Sequence, residues 1–348
     1  MFKTIYAILF SLLTTACVHQ KIESLRHPNG NDVMTCETLE RVNTKWVKEG
    51  LQSALAISKY NELALKHNVK QTQHIAIIDV AFGENLDELE AVKKVHFIDT
   101  DFLNNPKILK PKTSQYPHGY YVVNTMLSKY GLPLFNNSRL HLYTIGLNVN
   151  SNTIDPAALQ LSLVKACDAG QKIINISANP PGEMGDTLTE NLFRKELEQL
   201  NNKGCLVVAS AGNFGVKNPA LLEKADIYDS FLRVASHEPS GYESRFSNLG
   251  EIAAPERLQI VDTNTAPGLC DGRTSLFEGT SASAPIVSVM ASMIYSLLET
   301  QSSFLMKSGP EKVKIVTEII RQSGGGPENK NINAYKAMQL VENYIQKK

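Results

Sequence analysis

This chain has no excess of charge of either sign. Lys plus Arg and Asp plus Glu number 35 each, for a formal net charge of zero. That removes any global pull toward nucleic acid or an anionic membrane, and no nucleic-acid partner is expected. Cysteine is sparse, at five residues in 348, and no two stand at the spacing of a zinc motif or beside a His/Cys cluster. The apolar stretch from Ile5 to Leu13 falls well short of the roughly 20 residues that span a bilayer. Internal repeats and low-complexity tracts are missing too, which argues against a solenoid. What remains is a chain 43% apolar. It is long enough for one large α/β domain with a short appendage and a substantial core.

The N-terminus carries Lys3, then the Ile5–Leu13 stretch, then small residues. This reads as a signal peptide over residues 1–16. The small residues lead to Ala16-Cys17, which resembles the lipobox of bacterial lipoproteins, with Leu13 one place further from the cysteine than the usual pattern. That resemblance implies lipidation of Cys17 by more than one acyl chain, enough for stable anchoring. The expected location is a bacterial cell envelope, on the periplasmic or outer face of a membrane, or else simple secretion. The other four thiols, Cys36, Cys167, Cys205 and Cys270, allow up to two bridges in an oxidising compartment, with three pairings. Apolar runs beside Cys167 and Cys205 favour isolated core thiols at those two positions.

Residues 17–44 form a polar tether around the turn His27-Pro28-Asn29-Gly30. A helical extension over 45–69 follows, with Val47, Leu51, Ala54 and Leu55 at helical spacing and Ser58 interrupting the stripe. An isolated helix is marginal, so it should pack on the following domain; a cleavable inhibitory prodomain is the alternative. From residue 70 to 345 apolar runs alternate with helical stretches. Runs fall at His74–Asp79, Leu140–Leu147, Gln171–Ser177, Cys205–Ser210 and Phe231–Ala235. Helices are expected at His118–Lys129, Asp155–Ala169, Thr187–Lys203, Pro285–Leu298, Lys312–Gln322 and Asn333–Tyr344. The pattern predicts an α/β fold with a mostly parallel central sheet flanked by helices.

A serine hydroxyl is a poor nucleophile at neutral pH unless a base lies within hydrogen-bond reach and a carboxylate orients that base. Four segments supply such groups in the order acid, histidine, asparagine, serine: IAIIDVAFG with Asp79, HGYYVVNTM with His118, VVASAGNFG with Asn213 and GTSASAPIVS with Ser281. Each resembles a motif of the subtilisin-like serine proteases, the subtilase family. SRFSNLGEIAAPE (244–256) and NINAYKAM (331–338) resemble that family's loop before the nucleophile and its closing helix. The resemblance covers about residues 70–345. It implies a subtilisin-like three-layer fold and endopeptidase activity on exported or extracellular proteins. It also implies catalytic roles for Asp79, His118 and Ser281, rather than Ser283, with Asn213 donating to the oxyanion. No cofactor is required by that chemistry. Structural calcium is not expected, because Asp87, Asp99 and Asp101 form no regular binding loop and read as surface acids. A protein or peptide substrate and a monomeric state are expected.

Three stretches depart from the family pattern. Val80-Ala81 replace a hydroxyl residue and a glycine after the acid; Tyr120-Tyr121 follow His118-Gly119, where their rings are expected to narrow the cleft or cover the histidine. At the strand edge that pairs with substrate, where the family has Ser-x-Gly-Gly, this chain has Ser177-Ala178-Asn179-Pro180-Pro181; Asn179 and Pro180 stand at the glycines, and Pro180 has no N–H to donate. These departures favour a narrow cleavage over broad digestion. They also keep open a catalytically silent or partner-activated peptide-binding protein of the same fold. An esterase of the other α/β type is disfavoured by the order of the acid and the lack of a Gly-x-Ser-x-Gly elbow.

Overall fold

The computed structural model describes residues 47–70, 74–80, 82, 96–101, 108–109, 118–127, 131–132, 139–145, 147–148, 156–177, 187–216, 229–261, 274–324 and 330–347. The expected signal peptide and tether, with Cys17 and Cys36, lie outside them, as do Ala81, Asp87, Asn179-Pro180-Pro181, Cys270 and the side chains of Asp99 and Asp101.

Among the described residues seven strands form one sheet: β1 (Ile75–Asp79), β2 (His96–Asp101), β4 (Arg139–Thr144), β6 (Ile173–Ile176), β7 (Leu206–Ser210), β8 (Phe231–His237) and β9 (Ile252–Pro255). Their order is β2-β4-β1-β6-β7-β8-β9, and every pairing is parallel. Two ribbons lie outside it, β3 (Ile108–Leu109) with β5 (Leu147–Asn148) and β10 (Arg257–Val261) with β11 (Thr274–Glu278), both antiparallel. The expected run from Leu140 to Leu147 is therefore two strands, since β4 ends at Thr144.

Strand β1 shows why the sheet takes helices on both faces. All five of its residues are buried. Alternate side chains of a strand point to opposite faces, so Ile75 and Ile77 enter one core with Val122 and Met126 of helix α2 (His118–Leu127) and with Ile286 and Met290 of α5 (Thr280–Leu298). Ala76 and Ile78 enter a second core with Leu159 and Leu163 of α3 (Pro156–Asp168) and Leu200 of α4 (Thr187–Lys203). This is the expected three-layer α/β architecture.

Helix α5 is buried along its whole length. It has the length and apolarity of a membrane span, yet it is the central helix of the larger core. It begins at Thr280, about one and a half turns before the expected start at Pro285, with Gly279 (φ 112°) standing just outside it as the N-cap. The short α6 (Ser302–Leu305), then α7 (Gly309–Ser323) and α8 (Ala334–Gln346), complete this layer.

The N-terminal extension is broken where one continuous helix is expected. A turn of helix over 47–51 stops at Gln52, which takes a left-handed conformation (φ 51°), and α1 (Ser53–Lys66) resumes beyond it. Tyr60 and Leu63 are buried against the larger core, Lys59 pairs with Glu342 of α8 at 2.9 Å, and the Tyr60 hydroxyl meets Ser296. Ser296 stands fifteen residues along α5 from Ser281, about 22 Å at helical rise. Helix α1 thus braces the back of the domain, and its position gives no support to an inhibitory segment lying in the cleft.

One cysteine expectation is corrected. Cys167, at the end of α3, and Cys205, just before β7, form a disulfide with Cα atoms 6.0 Å apart. Their apolar neighbours suit a buried bridge as well as a buried thiol, and only the crossovers that set the two segments side by side distinguish the two.

Candidate functional site

In an open parallel sheet, reactive groups collect beyond the carboxyl ends of the strands, where the crossovers diverge. Asp79 is the last residue of β1 and has no exposed surface. Both its carboxylate oxygens face Nδ1 of His118, at 2.9 and 3.0 Å. A carboxylate only accepts, so Nδ1 carries the proton and Nε2 is left as the acceptor. The Val80 N–H also donates to Oδ1 at 2.7 Å. The main chain thus supplies a donor to the carboxylate where the family pattern has a hydroxyl residue.

His118 opens α2 and keeps 22% of its side chain exposed, enough for the ring to be reached from the cleft. Burial pushes its pKa down, but the charge of Asp79 and the hydrogen bond to it outweigh burial and hold the imidazole above its ordinary value. The two tyrosines do not cover it. Tyr120 is fully buried in the core, and Tyr121 is buried with its ring stacked on Phe277, centroids 5.7 Å apart. The expectation of a narrowed cleft or covered histidine fails because the third and fourth residues of α2, Tyr120 and Tyr121, pack into the core and against Phe277 of β11, not toward solvent. Phe277 meets the His118 ring edge to face at 5.6 Å, a contact with no signature in the sequence.

Ser281 is the second residue of α5, with 6% of its surface exposed. Its hydroxyl donates to the Ser177 carbonyl at the end of β6 (2.7 Å), which also accepts from Ser210 Oγ at 3.2 Å. Among the described residues, Ser177 rather than His118 is the hydrogen-bond partner of Ser281. Beneath it, Ser288 donates to Asn175 Oδ1 (3.0 Å) and Asn175 Nδ2 donates to Ser177 Oγ (2.9 Å). Ser283, the other serine of the motif, is fully buried and donates to the Pro255 carbonyl at 2.9 Å, an internal tie that faces no cleft.

Asn213 lies just beyond β7. Its Oδ1 accepts from both the N–H and the hydroxyl of Thr280, each at 3.0 Å, and Thr280 Oγ1 accepts from the Gly212 N–H at 3.1 Å. With Oδ1 accepting from Thr280, the orientation of the amide is fixed and Nδ2 is its donor end. A Cβ on Gly279 would come within 2.9 Å of that nitrogen, and Gly279 has φ 112°, so this position requires glycine on both counts. The loop itself is stapled by Asn248. Its Oδ1 accepts from the N–H groups of Phe214 (3.1 Å) and Val216 (2.9 Å), its Nδ2 donates to the Ala211 carbonyl (3.0 Å), and its own N–H donates to Gly212 (2.8 Å). In the sequence, Asn248 is visible only as one letter of SRFSNLG.

The structure thus bonds Asp79 directly to His118 and links Asn213 to the Ser281 segment through Thr280. Among the described residues no three His, Cys, Asp or Glu side chains are grouped to hold a metal ion.

A family model described as the subtilase family, peptidase S8, matches residues 118–322. Thermitase from Thermoactinomyces vulgaris is 27% identical over 197 residues, which is 55% of this chain and 62% of thermitase, so the match spans less than two thirds of that relative. Among solved structures, a lanthipeptide protease superposes with a TM-score of 0.56 at 18% identity, covering 84% of this chain and 96% of its own. The nisin leader peptidase NisP from Lactococcus lactis gives 0.55 at 16% identity, covering 79% and 90%. At such identities the likeness is one of fold. The family model spans more than half of the chain and takes in His118, Asn213 and Ser281, and the chain belongs to the subtilase family.

Proposed function

We propose that this protein is a serine endopeptidase in which Ser281 is the nucleophile, His118 the general base and then acid, Asp79 the group that orients the base, and Asn213 an oxyanion donor. The observation that carries this reading is the Asp79–His118 pairing: both carboxylate oxygens on Nδ1 leave Nε2 basic on the cleft side. In the reaction, the Ser281 hydroxyl leaves the Ser177 carbonyl, gives its proton to Nε2 and attacks the scissile carbonyl. Asp79 steadies the imidazolium that forms. The negative oxygen of the tetrahedral intermediate is met by Asn213 Nδ2 and by the Ser281 backbone N–H at the start of α5. His118 then protonates the departing amine, and water resolves the acyl-enzyme by the same path in reverse. Every step uses the chain's own groups, so the reading calls for no metal or cofactor.

The substrate is read as a protein or peptide outside the cytoplasm. The solved relatives named for lanthipeptide and nisin leader processing support a dedicated peptide cleavage. So do Asn179-Pro180-Pro181 at the expected strand edge. A disulfide between Cys167 and Cys205 suits an oxidising compartment and so supports export. With the signal-like segment and Cys17 this supports reading it as an envelope protein held by a lipid anchor. The test is labelling of the purified protein, freed of residues 1–16, by a fluorophosphonate probe between pH 6 and 9, with Ser281→Ala as control. Labelling that disappears in the variant supports an activated nucleophile. Folded protein that stays unlabelled favours the second reading, a partner-activated or silent peptide binder, for which the engagement of Ser281 with Ser177 speaks.

A further inference from the structure

Base and nucleophile come from distant parts of the chain, His118 on α2 and Ser281 on α5, so packing alone sets their separation. A single aromatic ring ties the two segments. Phe277, four residues before Ser281 on β11, is 2% exposed. Its ring meets His118 with centroids 5.6 Å apart at an interplanar angle of 72°, and stacks on Tyr121 at 5.7 Å and 29°. His118 and Tyr121 are three residues apart on one helix and share a face, so Phe277 fills the wedge between them. Neither side of the wedge is free to yield. Tyr121 abuts the fully buried Tyr120 at 5.9 Å. On the other side Phe277 pairs across the ribbon with buried Leu258, and the Gly279 N–H donates to the Glu256 carbonyl at 2.7 Å. The charged group facing the imidazole is Asp79 on β1. From β11 the ring meets only the uncharged Phe277, while the neighbouring Glu278 interacts with Arg257 and Glu256.

We infer that Phe277, backed by Tyr121, is a positioning residue that fixes the His118 imidazole relative to Ser281 and keeps water from the Asp79–His118 bond. The inference rests on the serine-protease reading and deepens it. A displacement of about 1 Å between reacting groups costs on the order of 100-fold in rate. Water admitted beside the ring weakens both the burial and the Asp79 effects on His118. Because the Asp79 effect is the larger in sum, the raised pKa relaxes toward the ordinary histidine value.

The test uses the full exported chain and an alkyl fluorophosphonate, with labelling rate followed against pH for Phe277→Leu and Phe277→Tyr. Phe277→Leu, which keeps bulk and loses the ring, is expected to label roughly 10–100-fold more slowly, with its acid limb displaced to lower pH; Phe277→Tyr restores both. A Leu variant with wild-type rate and an unmoved acid limb overturns the inference, since a residue that only fills space leaves both alone. If Phe277→Leu does not fold, Tyr121→Leu, which removes the backing and keeps the His118 contact, is expected to show a smaller loss of the same kind; a wild-type rate there overturns it equally. If the wild type itself does not label, the protease reading fails first. The downfield proton NMR signal of His118 Nδ1–H then decides the positioning question: faster exchange with solvent in Phe277→Leu supports it and an unchanged signal overturns it.

Discussion

Ser281 and Ser177 are bound to each other: the Ser281 hydroxyl donates to the Ser177 carbonyl oxygen across 2.7 Å, and with Ser210 donating to the same atom at 3.2 Å both of its lone pairs are engaged. The nucleophile is therefore satisfied away from the base, and an incoming N–H that pairs with this strand end must displace it. For the free protein, Ser281→Ala is expected to leave the NMR titration midpoint of His118 where it is. A clear shift on substitution would place the resting hydroxyl on the imidazole.

The pH dependence of labelling follows from the sign of the His118 shift. A general base works only when deprotonated, and Asp79 holds this imidazole above its ordinary value of 6.5 despite burial. The acid limb of the rate profile should therefore lie above that of an ordinary histidine, with activity rising as pH climbs through it. Asp79→Asn should move the limb down and lower the rate by about 10⁴-fold through loss of the correct tautomer. A limb that stays put in Asp79→Asn would assign it to another group.

Asn248 fixes the loop that carries Asn213, although it is remote from the chemistry in sequence. Asn248→Ala leaves the Phe214 and Val216 N–H groups without their acceptor, a loss of about 1–3 kcal/mol where such groups are shielded from water. It should also slow labelling by roughly 10–100-fold as Asn213 drifts. Asn248→Asp keeps the two acceptor bonds and loses only the donation to Ala211, so its effect should be smaller. Chemical denaturation with labelling kinetics on both variants checks the order.

A directed hydrogen-bond chain crosses the opposite end of the sheet. Tyr143 donates to Gln171 Oε1 (2.7 Å), and the Gln171 amide donates to the Ala169 carbonyl (3.2 Å) and to His141 Nδ1 (3.4 Å), so His141 Nε2–H donates to His74 Nδ1 (3.2 Å). Burial, then His74 and Arg139, push the His141 pKa down to about 4. Unfolded, the same histidine takes up a proton near 6.5. Between those values the unfolded state binds the proton that the fold refuses, so this contribution to stability is lost as pH falls from 6.5 toward 4. The thermal midpoint should drop across that window in the wild type and less steeply in His141→Gln; equal slopes would remove His141 from the account.

The Cys167–Cys205 bridge closes a loop of 38 residues. On the loop-closure model this constrains the unfolded chain by about 4 kcal/mol. Denaturation of Cys167→Ser/Cys205→Ser should show a loss of that order at most, and wild-type stability in the double variant would show that the bridge contributes little.

Local pattern was enough for much of this molecule. The Ile75–Asp79 run, fully apolar and ending in an acid, has few physical options other than a strand buried on both faces with its carboxylate at the carboxyl end, and that is β1. Helix α4 fell where the periodicity placed it, at Thr187–Lys203. The candidates Asp79, His118, Asn213 and Ser281 could be picked out because each sits in a short segment that resembles a subtilase motif, and at Gly279, beside Asn213 Nδ2, the motif residue is also fixed by a backbone demand. Tertiary structure decided the rest. Whether Tyr121 faces solvent or Phe277, whether Cys167 meets Cys205, which carbonyl receives Ser281, and which side chain staples the Asn213 loop are contacts between residues tens to hundreds of positions apart. Such contacts leave no periodic mark on the chain, because they arise only when the sheet and its crossovers bring separate segments to the same edge.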